Sequence, residues 1–181
     1  MAEGAGEDLT IEALEPEAAE AALPDLAAVL VDAVAGGASV NFMAGFTTTE
    51  AETFWRGQLP GVADGTRTIL VARAAGGRIL GTVVVTLAPQ PNAPHRAEIG
   101  KMLVHSSVRR RGLGRRLLAA AEASALASGR TLLILDTQSG SPGEALYRSC
   151  GWTETGVLPG HSFTPEGVLA SATFFYKKIE P

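Results

Sequence analysis

The stretch Val104 to Leu118, VHSSVRRRGLGRRLL, constrains this chain more than any other. An apolar run stops there, five arginines fall within eight residues, two glycines interrupt them, and a leucine-rich amphipathic segment follows. That order reads as a strand, a tight turn and a helix. Gly112 and Gly114 let backbone come close to a ligand, and the first N–H groups of a helix lack intrahelical partners, so the turn favours an anion. The pattern predicts a pyrophosphate cradle on the amides from Arg110 to Arg115, with arginine side chains adding charge at its rim. A solvated basic patch at a helix start is the competing reading. Arg109-x-x-Gly112-x-Gly114 directly behind a strand favours the cradle.

The surrounding chain supplies matching elements. Leu9 to Leu14 alternates as a short strand, and alanines and leucines carry a helical pattern from Pro16 to Ala35, divided at Pro24 and stopped by Gly36-Gly37. Ser39 to Phe46 has no clear period. Thr47 to Glu50 has capping character, which predicts a helix at 48–58 with Phe54 and Trp55 anchoring it. A turn is expected over Pro60 to Gly65. Thr68 to Ala72 and Ile79 to Leu87 read as strands joined by a hairpin at Ala74 to Gly77, and Glu98 to Val104 reads as a fourth strand. The main helix follows over Gly112 to Ser128, stopped by Gly129. Leu132 to Leu135 is a short apolar run ending in Asp136; a strand between two helices implies parallel pairing. Ser141 caps another helix with Pro142 at its first position, and Gly151 stops it. Trp152 to Val157 and Thr173 to Lys178 close the chain as strands, with a glycine- and proline-containing loop between them. The order describes an α/β (α+β) fold, a mixed sheet with helices on both faces.

With 181 residues and 46% hydrophobic content, one domain over 8–181 is expected, behind an acidic, glycine-rich tail at 1–7 that reads as disordered. Net charge of −4 disfavours nucleic acid as partner and leaves the clustered arginines for a small anion. No run of about 18 apolar residues suggests a membrane span, and MAEGAGEDL does not read as a secretory signal. Cys150 stands alone, so no internal disulfide is expected and a reducing cytoplasm fits. His95, His105 and His161 lack metal-ligand spacing, so no metal is implied. Cys150 reads as buried instead of nucleophilic, since no histidine partner is visible for it.

Three motifs in order resemble the GCN5-related N-acetyltransferases, the GNAT superfamily. They are Lys101-Met102-Leu103-Val104, then Arg109-Arg110-Arg111-Gly112-Leu113-Gly114, then Ala145-Leu146-Tyr147-Arg148-Ser149-Cys150-Gly151-Trp152. A closer likeness, to the tabtoxin-resistance type, rests on Ala97-Glu98, Leu135-Asp136-Thr137, Gly140-Ser141, Leu158-Pro159-Gly160 and Thr164-Pro165-x-Gly167-x-Leu169 leading to Tyr176-Lys177. The resemblance implies a twisted, mostly antiparallel sheet of about seven strands, splayed between the fourth and fifth. It implies acetyl-CoA as cosubstrate and a small amine, such as a toxin or antibiotic of the tabtoxinine kind, as acceptor.

The site residues follow from the same resemblance. The backbone of Met102, Leu103 and Val104 would pair with the pantetheine arm and polarise the thioester; Arg109, Arg110, Arg111, Gly112, Leu113, Gly114 and Arg115 would hold the pyrophosphate, with Ser141 and Tyr147 also against the cofactor. Tyr147 would protonate the departing thiolate, because a phenol of ordinary pKa about 10 holds its proton at neutral pH. Glu98 would act as base, directly or through water, and Asp136 as a second acid for the amine. Two other acceptor classes stay open: a protein N-terminus or lysine, and no acceptor at all in an acyl-CoA-binding sensor. A homodimer is also open. A dinucleotide-binding Rossmann turn fits less well, since its third glycine position is Leu117.

Overall fold

The computed structural model describes residues 8–180. The expected tail at 1–7 lies outside them. The elements are β1 (Leu9–Ala13), α1 (Pro16–Ala21), α2 (Leu23–Ala35), α3 (Thr48–Arg56), α4 (Leu59–Ala63), β2 (Arg67–Ala74), β3 (Ile79–Leu87) and β4 (Arg96–Val104), then α5 (Leu113–Ala127), β5 (Leu132–Gln138), α6 (Pro142–Ser149), β6 (Thr153–Phe163) and β7 (Leu169–Lys178). The seven strands form one sheet in the order β1-β2-β3-β4-β5-β7-β6. Every neighbouring pair is antiparallel except β4 with β5.

Alternation along the strands divides the core in two. Leu70, Val83, Val85, Ala97, Ile99, Leu133 and Leu135 pack against α5, while Ile69, Val71, Val84 and Leu103 pack against α1, α2 and α3. The mixed sheet with helices on both faces is therefore as expected. No helix among the described residues is long and apolar enough to cross a membrane.

Local chemistry explains most boundaries. The Thr47–Glu50 capping box starts α3, with the Thr47 N–H donating to Glu50 Oε2 at 2.8 Å. Pro24 falls in the first turn of α2, where its missing N–H is harmless, so the break lands at Ala22. Trp55 is buried and donates from Nε1 to the Leu26 carbonyl at 3.0 Å, locking α3 to α2.

Three expectations change. The turn expected at Pro60 to Gly65 contains the short helix α4. β5 runs on through Asp136 to Gln138. The loop expected between the last two strands is mostly strand: β6 reaches Phe163 and β7 starts at Leu169. β6 lies at the sheet edge, where a proline costs no ladder bond, and register shifts at Glu154/Gly156 and Leu158/Ser162 absorb its glycines and Pro159.

Candidate active site

β4 and β5 pair only through Arg96–Glu98 and Leu132–Ile134. Past that point β5 stays with β7, and β4 from Ile99 to Val104 has no strand on its β5 side. The sheet is split there, as the splay expected between the fourth and fifth strands requires. The His105 N–H donates to the Leu80 carbonyl at 2.9 Å, so His105 and Leu103 turn their backbone toward β3, while Val104 and Met102 turn theirs toward the gap. The Val104 carbonyl is already engaged by Arg109 Nε at 2.9 Å. Its N–H is left for a ligand.

The turn beyond β4 is built from strain and one long-range strut. A single 3-10 turn spans Ser106–Val108, Arg110 takes φ 61°, Gly112 takes φ 77°, and α5 starts at Leu113 without a side-chain cap. Its first amides are therefore available to an anion. Asp32 of α2 fixes the turn from below. It accepts from the Ser106 N–H at 2.8 Å and the Ser106 hydroxyl at 2.6 Å, and lies 3.4 Å from Arg109 Nη2.

The two glycines do different work. A Cβ on Gly112 would meet nothing within 4 Å, so the space over it is open; on Gly114 it would stand 3.1 Å from Leu146 Cδ2 and 3.3 Å from Met102 Cε. Gly114 lets α5 close on β4 and α6. The arginines divide as well: Arg115 reaches Ser149 Oγ at 3.1 Å and Arg116 the Leu9 carbonyl at 2.6 Å. Exposed Arg110 and Arg111 make no hydrogen bond or ion pair to a described residue, which leaves their charge for the rim of the turn.

On the other face of the sheet stand the acids. Ala97 and Ile99 point into the α5 core, so Glu98 points away from it; Leu133 and Leu135 do the same for Asp136. Glu98 aligns with Ile134, two residues before Asp136 on the same face, which puts the two Cα atoms roughly 8 Å apart from strand spacing and rise. Across the sheet in the other direction, Glu98 pairs with Thr86 and Thr86 with Arg67, whose Nε lies 3.3 Å from Thr86 Oγ1.

Lys101, which the sequence marks only as part of a motif, joins them through a bulge. Val84 pairs with Gly100 but Thr82 with Leu103, so β4 carries an extra residue, with Lys101 at φ 45°. The bulge inverts the alternation: Met102 and Val104 pack toward α5 and Leu103 toward α2. The Lys101 ammonium sits 5.2 Å from the Phe54 ring centre and 5.8 Å from that of Phe42. Burial lowers its proton affinity, opposed by the carboxylates of Asp136 and Glu98. A lysine inside an apolar strand was the one available signal. Phe42 lies on the 39–46 segment, which is stapled to the far hairpin by Ala44 N–H to Pro165 O at 2.9 Å and Ser39 Oγ to Phe163 O at 3.4 Å.

Tyr147 of α6 is buried, with ring centres of Trp152 and Phe175 5.9 Å and 6.0 Å away. Burial raises its pKa strongly, and the Asp136 carboxylate pushes the same way, so the phenol stays neutral. Ser141 caps α6, accepting from the Glu144 N–H at 3.2 Å, with Thr137 Oγ1 at 3.2 Å.

At the split, an uncapped helix and its turn present free amides on one face and two carboxylates stand on the other. The profile of the Acetyltransferase (GNAT) family matches residues 33–152, well over half the chain, and the chain belongs to that family. Acetyl-CoA is the cosubstrate of its reaction. A ribosomal-protein-alanine N-acetyltransferase from Brucella melitensis is similar at 27% identity and TM-score 0.75, covering 94% of this chain and 100% of its own. The yncA protein of Salmonella typhimurium, solved with its cofactor acetyl-CoA, shares the fold at 19% identity and TM-score 0.76, covering 96% and 95%. A GCN5-related N-acetyltransferase from Kribbella flavida does so at 20% and 0.76, covering 94% and 98%.

Proposed function

We propose that the chain transfers an acetyl group from acetyl-CoA to the amine of a small molecule, directly and within a ternary complex. The observation that carries this is the two-sided gap, with the cradle of α5 on one face and Glu98, Asp136 and Lys101 on the other. Open space over Gly112, the uncapped start of α5 and the free Val104 N–H fit the diphosphate and the amide-bearing arm of the coenzyme. The coenzyme supplies the activated acyl carbon as its thioester; the chain's own groups supply position and protons.

In this reading the amides of Arg110 to Arg115 hold phosphate, and the gap-facing backbone from Met102 to Val104 orients the arm and donates to the thioester oxygen. Glu98, directly or through water, takes the proton of the acceptor ammonium, and Asp136 holds the amine. As the C–N bond forms and the C–S bond breaks, Tyr147 gives its proton to sulfur, the nitrogen releases its second proton to solvent to become the amide, and solvent returns a proton to the tyrosinate. The presence of both acids and Tyr147 argues against a sensor that only binds. The staple between the 39–46 segment and the hairpin tip walls the acceptor side, which favours a compact amine over a protein surface. An amine toxin or antibiotic of the tabtoxinine kind falls within that class. We place the activity in the cytoplasm, where Cys150 stays reduced, and in a homodimer.

Thiol release from acetyl-CoA tests the reading across free amino acids, amine antibiotics and peptides. Turnover with a compact amine and not with peptides is expected. Turnover with peptides alone would transfer the assignment to protein acetylation, and acetyl-CoA binding with no turnover would favour the sensor.

A further inference from the structure

Half-buried charges of this chain commonly meet an opposite charge. Glu12 meets Arg73 at 2.7 Å, Glu122 meets Lys177 at 2.8 Å, and Glu144 meets Arg148 at 3.0 Å. On the acceptor face the rule fails. Glu98, Asp136, Lys101 and Arg67 form no ion pair within 4 Å among the described residues, though the carboxylates and Arg67 lie near enough to act on Lys101 through space. Glu98 and Asp136 are exposed and solvated, but Lys101 and Arg67 are half-buried, and a half-buried cation without a counter-ion is costly unless something completes it.

Lys101 reaches this face at a price in backbone strain. A non-glycine residue at positive φ is strained, and without the bulge its side chain would follow Ala97 and Ile99 into the α5 core. Two ring faces receive the ammonium, and they answer its charge but not its three directional N–H donors. The rings also exclude water, which strengthens any pairing made there. One strand beyond Thr86, Arg67 adds a second cation in the Glu98 row.

We infer that the acceptor carries a carboxylate close to its reacting amine, and that Lys101, backed by Arg67, receives that carboxylate while Glu98 and Asp136 receive the amine. The four unpaired groups then complement a zwitterion: two negative groups where the amine must reach the gap, two positive groups beside them. A decarboxylated amine leaves Lys101 unanswered. A peptide N-terminus does the same, because its adjacent carboxyl is an amide. The inference rests on the acceptor-side reading above and narrows it to amino acids and amino-acid-like molecules.

The test pairs each amino acid with the amine lacking its α-carboxylate: methionine with 3-(methylthio)propylamine, lysine with cadaverine, glutamate with 4-aminobutyrate. Initial rates of thiol release give kcat/KM for each. A charge-assisted contact predicts a preference of roughly 10- to 100-fold for the carboxylate-bearing member. In Lys101→Met that preference should collapse toward one, chiefly through KM, and in Lys101→Arg part of it should return. Acetyl-CoA affinity, read by titration calorimetry, checks that the variants are folded. Equal use of both members by the wild type overturns the carboxylate assignment and leaves the acetyltransferase standing; so does a preference that survives Lys101→Met with intact acetyl-CoA binding. No transfer to any member of the panel overturns both readings together.

Discussion

Tyr147 and Lys101 are perturbed in opposite senses by the same physical cause. Burial disfavours the charged form of each, so the phenol holds its proton more tightly and the ammonium holds its proton less tightly than in water. For Tyr147 this secures the protonated state that an acid needs. It also makes transfer to a thiolate, whose thiol has an ordinary pKa near 8.5, uphill by more than the roughly 2 kcal/mol that separates reference values. In the proposed role the proton would move as the C–S bond stretches and sulfur gains charge. Tyr147→Phe removes the donor and keeps the ring against Trp152 and Phe175. Turnover should fall by about 100-fold or more while acetyl-CoA affinity stays within about twofold; equal loss of both would assign Tyr147 to packing. For Lys101 the linkage has a definite sign. The unfolded chain binds this proton more tightly than the folded one, so the folded state is penalised below the depressed pKa and recovers as pH rises toward 10.5. Lys101→Met should therefore melt higher than the wild type at pH 7, with the gain shrinking as pH approaches 10.5. A site residue that lowers stability is what a functional placement looks like. Calorimetric melts across that range measure it.

Elements were legible where sequence periodicity and local chemistry agree, as in α3 with its capping box, α5 behind Gly112, and α6 behind Ser141 and Pro142. The extended β6 and β7 were not, because Gly156, Pro159 and Gly160 read as a loop, and only an edge position with register shifts reconciles them with a strand. The β4 bulge had no compositional sign, so Lys101 was visible as a motif residue and its face was not. Side chains that join distant elements were equally hidden: Asp32 steadies Ser106 across 74 positions, and Glu122 meets Lys177 across 55. Glu122 joins three elements. It accepts from Lys177 Nζ at 2.8 Å and from Trp152 Nε1 at 3.0 Å, and Lys177 also donates to the Cys150 carbonyl at 2.9 Å. This ties α5 and β7 to the end of α6, behind the Tyr147 ring. Glu122→Gln leaves a partly buried ammonium without its counter-ion. A loss of about 2 kcal/mol is expected, or roughly 4–8 °C in melting temperature for a chain of this length. A melt unchanged within 1–2 °C would show the pair to be screened like a surface one.

At the scale of the whole molecule, the exposed large apolar side chains gather in one region. Val157, Leu158, Phe163, Val168 and Leu169 belong to the β6–β7 hairpin, and Met43 lies on the segment stapled to its tip. Apolar surface concentrated this way marks an interaction site or the wall of a ligand groove, and the homodimer proposed above would use it as the former. A second copy is the occupant that the charge pattern favours. A twofold interface sets a patch against itself, so charges would repel their twins; from Thr155 to Ala172 the only acidic or basic side chain is Glu166, with His161 the sole other titratable group. A membrane or a nucleic acid would call instead for lysines and arginines, which the stretch from Thr155 to Ala172 lacks. Register shifts and Pro159 disrupt the outer edge of β6, so the copies would meet through side-chain faces and not through a continuous ladder. Sedimentation velocity should show a dimer, and Val168→Asp, at a position 62% exposed, should raise its dissociation constant about tenfold or more without weakening acetyl-CoA binding. A wild-type chain that remains monomeric at roughly 100 µM, where an association of only about −5.5 kcal/mol would already be evident, would assign the apolar hairpin to the acceptor wall of a single copy.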